Sequence, residues 1–221
     1  MTSVSAHHDT EFVEIVPTKF VSTNIVFVID GSSTIRNSKG LKGKFYRAWS
    51  NISQKLASDE WYFSAYLFGD KGKERHYGWR AAGGPKKSRE ELAKAYKWIA
   101  GNKQVRSFGN DAMSMAIKSQ NPLNKNAMMA RTLTVILITD GGFTEATGPT
   151  GYNPTYKAIA NAQGWRETNE LFEATILTIG LENEIYWSYG VKRPDVECQE
   201  FLKVLGTKYN GGYYLVRDKK K

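Results

Sequence analysis

Apolar residues along the chain follow two rhythms. The first is unbroken: residues 24–30 read NIVFVID, 133–140 read LTVILITD and 174–180 read ATILTIG. A run apolar at every position offers no face to solvent, which marks a central strand of a parallel sheet covered by helices on both sides. Residues 61–68 (WYFSAYLF) give a fourth strand, 75–79 (RHYGW) pair beside it through the Gly-containing turn at 70–72, and 213–216 form the last. The second rhythm has a period of three to four. Leu41, Phe45, Ala48, Trp49, Ile52 and Leu56 make an amphipathic stripe over residues 41–57. Ser88 with Glu91 reads as a capping box opening a helix to about residue 100. Residues 111–119, 155–171 and 195–205 supply three more helices.

Strands alternating with helices predict right-handed crossovers. The expected fold is therefore α/β, doubly wound and Rossmann-like, with a mainly parallel sheet, one antiparallel edge strand and helices on both faces. Residues 1–20 read as an N-terminal tail or edge element, 21–217 as one domain and 218–221 as a basic tail. A chain of 221 residues suits a single domain of this kind.

Composition narrows the setting. The single cysteine, Cys198, allows no intrachain disulfide, which fits a reducing compartment. The first ten residues lack the basic start and apolar stretch of a signal peptide, and no apolar run reaches the roughly eighteen residues a membrane helix needs. The expectation is a cytoplasmic protein. Its net charge of +9 is unevenly placed: residues 1–110 hold 18 Lys and Arg against 10 Asp and Glu, while 111–221 hold 13 against 12. Arg36, Lys39, Lys42, Lys44 and Arg47 follow one another with no acid among them. Such a surface attracts anions, or simply keeps the chain well solvated.

The candidate chemistry sits at strand ends. In doubly wound sheets, ligands bind outside the carboxyl ends of the strands, where strand order reverses. Asp30 and Asp140 both end core strands, within Asp30-Gly31-Ser32-Ser33-Thr34 and Thr139-Asp140-Gly141-Gly142. These two segments resemble the metal-ion-dependent adhesion site (MIDAS) of von Willebrand factor A (vWA) domains, with its D-x-S-x-S first loop and T-D-G third loop. The resemblance extends over 24–217 and includes the closing helix, Gly206, Lys208-Tyr209-Asn210-Gly211-Gly212 and a strand. It implies a metal site of Asp30, Ser32, Thr34 and Asp140 holding Mg²⁺, or Mn²⁺ or Ca²⁺, with a coordination position left for a partner's carboxylate. Hard cations of this kind take oxygen ligands.

The second loop departs from the family pattern. Aligned on Ala116-Ile117, Asp111 stands where the family has threonine, as a further ligand or as a helix N-cap. A third carboxylate would neutralise the cation and weaken its attraction for an acidic partner. Enzymatic alternatives lack their residues. No G-x-G-x-x-G follows the first strand, no second aspartate stands two residues after Asp30, no G-x-S-x-G elbow occurs, and the spacing at 83–88 fails as a P-loop. With three histidines, general bases are scarce. The chain reads as a non-enzymatic binding module that engages a protein partner through a metal face, with Arg36, Lys39, Lys42 and Lys44 as a basic rim. Two other readings stay open: nucleic-acid or polyanion binding through the basic half, and an accessory subunit of an ATPase or chelatase complex. Trp187 and Tyr189 in 184–194 suggest an exposed contact patch.

Overall fold

The computed structural model describes residues 10–18, 22–55, 61–102, 104–146, 151–183, 185–188 and 191–219. The elements run in chain order as β1 (Thr10–Val16), β2 (Asn24–Asp30), α1 (Ser33–Asn37), α2 (Lys39–Lys55), β3 (Trp61–Phe68), β4 (Arg75–Ala82), α3 (Gly84–Gly101) and α4 (Asn110–Lys118). They continue as α5 (Ala127–Ala130), β5 (Thr134–Thr139), α6 (Asn153–Thr168), β6 (Thr175–Leu181), β7 (Ile185–Ser188), β8 (Val191–Pro194), α7 (Asp195–Lys208) and β9 (Asn210–Asp218).

Seven strands form one sheet in the order β1-β9-β6-β5-β2-β3-β4. The three continuous apolar runs lie side by side and parallel at its centre, with Phe27 opposite Ile136 and Ile136 opposite Leu177. Both faces are covered, and the strands divide their side chains between them by simple alternation. Ile25, Phe27 and Ile29 pack with α2 and α3, whereas Val26 and Val28 pack with α4, α6 and α7. The helical stripe on α2 is buried from Leu41 to Ile52 as its period predicts; Leu56 lies outside the described residues.

Three expectations need amendment. Antiparallel strands close both edges, not one: β4 pairs with β3, and β1 pairs with β9. The N-terminal segment is therefore an edge strand over its described part, fixed by Phe12 stacked on Tyr214 at 4.7 Å between ring centroids. The helix expected to open at Ser88 begins a turn earlier, with Gly83 as N-cap and a proline in the first turn. Proline is favoured there because its missing N–H would have no intrahelical partner. Ser88 is instead buried, its hydroxyl accepting the indole N–H of Trp61 at 2.7 Å. The segment of Trp187 and Tyr189 contains the two-stranded ribbon β7–β8, and those two side chains lie outside the described residues. Among the described residues no helix is long and apolar enough to cross a membrane.

Candidate functional site

Strand order decides where a ligand can sit. From β2 the chain moves outward to β3 and β4, then returns to β5 on the other side of β2. The switch point thus falls between β2 and β5, which end in Asp30 and lead into Asp140. Both aspartates are buried, Asp30 at 3% and Asp140 at 1% exposure.

Asp30 is held by neutral donors. Its Oδ1 accepts the backbone N–H of Ser32 at 2.9 Å. Its Oδ2 accepts the hydroxyls of Ser107 at 2.8 Å and Thr139 at 2.9 Å. Burial pushes the Asp30 carboxyl above the usual aspartate range, and the hydrogen bonds from Ser32, Ser107 and Thr139 pull the other way. No Lys or Arg pairs with it among the described residues. Asp140 accepts the N–H of Gly142 at 3.1 Å and the Asn183 amide at 3.3 Å. Between the two acids, the Thr139 hydroxyl takes the N–H of Gly141 at 3.0 Å while donating to Asp30. Gly141 has φ of +87°, a conformation L side chains avoid, and a Cβ there would stand 2.8 Å from Cβ of Cys198.

Ser32 is buried and is the N-cap residue of α1; Thr34 lies on α1 and is exposed. The first loop is tied to the second by Ser33, whose N–H and hydroxyl both reach the Val105 carbonyl, at 3.2 and 3.0 Å. The second loop is tied to the third by a reciprocal pair. Ser107 N–H donates to the Thr144 hydroxyl at 3.0 Å, and Thr144 N–H donates to the Ser107 carbonyl at 2.7 Å. Glu145 completes the link by accepting the N–H groups of Gly109 and Asn110 at 3.1 and 2.9 Å, the start of α4.

Asp111 is exposed in the first turn of α4. Its charge is felt by Glu145, whose carboxyl is raised first by burial and partly by Asp111. Among the described residues no group of three or more His, Cys, Asp and Glu side chains is placed to hold a metal ion. Sequence reasoning missed Ser107, the second-loop hydroxyl that reaches Asp30, because the alignment on Ala116-Ile117 drew attention four residues downstream. It also missed Thr144 and Glu145, three and four residues after Gly141 of the T-D-G segment.

The basic rim is half of what the sequence suggested. Lys39 and Lys42 are exposed. Lys44 is buried on α2, bonding the Glu182 carbonyl at 2.8 Å and pairing with Asp218 at 3.1 Å, so it is no free surface cation. Its spacing from Leu41, Phe45 and Ala48 puts it on the inner face of the helix. Arg36 reaches inward, donating Nη2–H to the Gln104 carbonyl at 2.6 Å.

No protein-family model matches the sequence, and no curated protein matches it. Solved structures match in fold. The pilus adhesin SpaC from Lactobacillus rhamnosus GG, in its open conformation, aligns over 93% of this chain and 31% of its own, with a TM-score of 0.53 and 13% identity. A von Willebrand factor type A protein from Catenulispora acidiphila aligns over 99% of this chain and 48% of its own, with a TM-score of 0.49 and 15% identity. The manganese-loaded TRAP protein of Plasmodium vivax gives 0.45 over 96% of this chain and 82% of its own, at 11% identity. This chain thus spans less than half the length of the first two. With strand order β1-β9-β6-β5-β2-β3-β4 and an aspartate on each side of the switch point, the chain shares the fold of the SpaC adhesin, an α/β sheet of the kind that the resemblance to von Willebrand factor A domains implies.

Proposed function

We propose that the chain is a non-enzymatic binding module that holds a divalent cation at the Asp30–Asp140 face and engages a protein partner through it. Asp30 is the observation that carries this reading. Its carboxylate is 3% exposed, is bonded by three neutral groups and has no cationic partner among the described residues. An ionised carboxylate removed from water without a counter-charge is costly, and a bound cation would supply that charge.

The donor set fits a hard ion. Asp30, Asp140, Ser32 and Thr34 offer only oxygens, two of them carboxylates, which suits Mg²⁺ first and Mn²⁺ or Ca²⁺ as alternatives. Ser107 and Thr139 would fix the orientation of Asp30, as partners of a metal ligand commonly do. Asp111 would act through water from its exposed place on α4. Once bound, the cation would offer a coordination position to an acidic side chain of the partner. Lys39 and Lys42 would add long-range attraction for such a partner. The non-enzymatic reading rests on the enzymatic motifs the sequence lacks; His76, the one histidine among the described residues, is on β4 and bonded to Ser64. Binding of nucleic acid through the basic half would have to rely on cations other than Lys44, which is engaged within the fold, and Arg36, which is engaged there in part.

The test is calorimetry with Mg²⁺ and Mn²⁺, paired with thermal melts. A ligand that binds only the folded state raises its stability by mass action, so wild type should bind and melt higher, and Asp30→Ala and Asp140→Ala should do neither. Asp111→Ala should weaken binding less than either. Absence of binding by wild type at millimolar metal would sink the proposal. A pull-down with and without EDTA would then show whether the partner is metal-dependent.

A further inference from the structure

A cavity of about 100 Å³ opens between α1, α2 and α3, behind the first loop of the site. Ile35, Phe45 and Ile99 form its apolar walls, and Ala100 stands exposed at its margin. Arg36 is the unusual member of the lining. Its Nη2 is anchored on the Gln104 carbonyl, but its buried Nε and Nη1 find no acceptor among the described residues. Buried donors are almost always paired, and an unpaired one is a cost to the fold. Asp30 borders the same cavity yet takes its hydrogen bonds from Ser32, Ser107 and Thr139, not from Arg36. Lys42 adds a second cation at the edge. Two cations against one carboxylate leave the lining with one positive charge in excess.

We infer that this cavity is a binding site for a short-chain monocarboxylate. The anion would pair with the Arg36 guanidinium, drawing its closed-off Nε–H and Nη1–H groups onto the carboxylate and balancing the excess charge, while its hydrocarbon part would lie against Ile35, Phe45 and Ile99. Size limits the occupant: a cavity of about 150 Å³ accepts benzene, with its six heavy atoms, so one of about 100 Å³ suits an acid of two or three carbons. A water molecule could satisfy Arg36 but would gain nothing from the apolar walls. Asp30 and Ser32, proposed above as cation ligands, also border the cavity, so the test is made with the metal removed.

The experiment is titration of the full chain with sodium propionate, followed by calorimetry and by melting temperature. Propionamide and sodium chloride at matched concentration serve as controls, and EDTA is present throughout so that the outcome is independent of the metal. Propionate should bind saturably and raise the melting temperature, and propionamide and chloride should not. Octanoate should bind at least tenfold more weakly. Arg36→Met, which keeps most of the apolar stem and removes the donors, should lose propionate binding tenfold or more. Ala100→Phe, at an exposed position, should block the cavity with Arg36 intact. Equal effects of propionate and propionamide, or undiminished binding by Ala100→Phe, would overturn the assignment, as would the lack of any saturable effect.

Discussion

Ser107 donates its hydroxyl to Oδ2 of Asp30 across a separation of 77 residues, at 2.8 Å, and Thr139 donates to the same oxygen at 2.9 Å. The two hydroxyls come from different loops, so the orientation of Asp30 records the assembly of both. Removing one donor to a buried charged acceptor costs about 1.5–3 kcal/mol. Ser107→Ala and Thr139→Val should each destabilise the chain by that order in urea melts. Because they share one acceptor, their effects should not add. Strict additivity would mean that the hydroxyls are not coupled through Asp30.

Glu145 joins the third loop to the start of α4 by receiving the N–H groups of Gly109 and Asn110. A carboxylate at a helix N-terminus both satisfies free donors and meets the positive end of the dipole. Glu145→Ala should therefore cost about 1–2 kcal/mol. Glu145→Gln keeps acceptor oxygen and loses charge, so it should cost less. If both variants melt with wild type, the link does not stabilise the loop pair.

The parts of this molecule that the sequence reveals are those governed by periodicity. β2, β5 and β6 are legible because an unbroken apolar run has few places to go except the middle of a covered sheet. Asp30 and Asp140 follow from them, since each ends such a run. Lys44 was legible too, because Leu41, Lys44, Phe45 and Ala48 fall on one helix face; reading it as one of a row of charges hid this. Ser88 misled for a different reason. Its local signal matches a cap, but its hydroxyl accepts the N–H of a distant indole, Trp61, and a proline sets the helix start earlier. Ser107 and Thr144 left no periodic trace at all. Their roles come from loops brought together by strand order, and only the assembled sheet defines that neighbourhood.

The two kinds of lysine near the site can be separated by experiment. Lys39 and Lys42 are exposed, whereas Lys44 is buried with Asp218 and the Glu182 carbonyl as partners. Lys39→Glu with Lys42→Glu should leave the melting temperature nearly unchanged, as surface substitutions usually stay within about 0.5 kcal/mol. Lys44→Met should cost about 1–3 kcal/mol by removing a charged donor from a buried acceptor. Lys44→Glu should cost more, because it sets a third acid beside Glu182 and Asp218. Equal stability of the double variant and Lys44→Glu in denaturant melts would contradict this division.

His76 offers a pH-dependent readout of the β3–β4 edge. Its ring stacks on Tyr66, directly opposite in register, at 4.4 Å between centroids, and its Nε2 lies 2.7 Å from the Ser64 hydroxyl. Ser64 also donates to the Tyr77 carbonyl at 3.0 Å. One hydroxyl has one proton, so with that proton on Tyr77, His76 must be the donor to Ser64 and carries hydrogen on Nε2. Partial burial, and secondarily the charge of Arg80, oppose a further proton and hold His76 below its ordinary value of 6.5. The sign follows from linkage: the unfolded chain takes up the proton first, so the contribution of His76 is complete above the unfolded value and is lost as pH falls toward the folded one. A nuclear magnetic resonance titration should place the midpoint of His76 below 6.5. Arg80→Gln should raise it only part of the way, because burial is the larger cause. His76→Gln keeps a donor for Ser64 without titrating, so urea melts should lose less stability between about pH 7.5 and about pH 5 than in wild type. A His76 midpoint at or above the ordinary value, or identical pH dependence in the two proteins, would show that the ring is not held neutral by this packing.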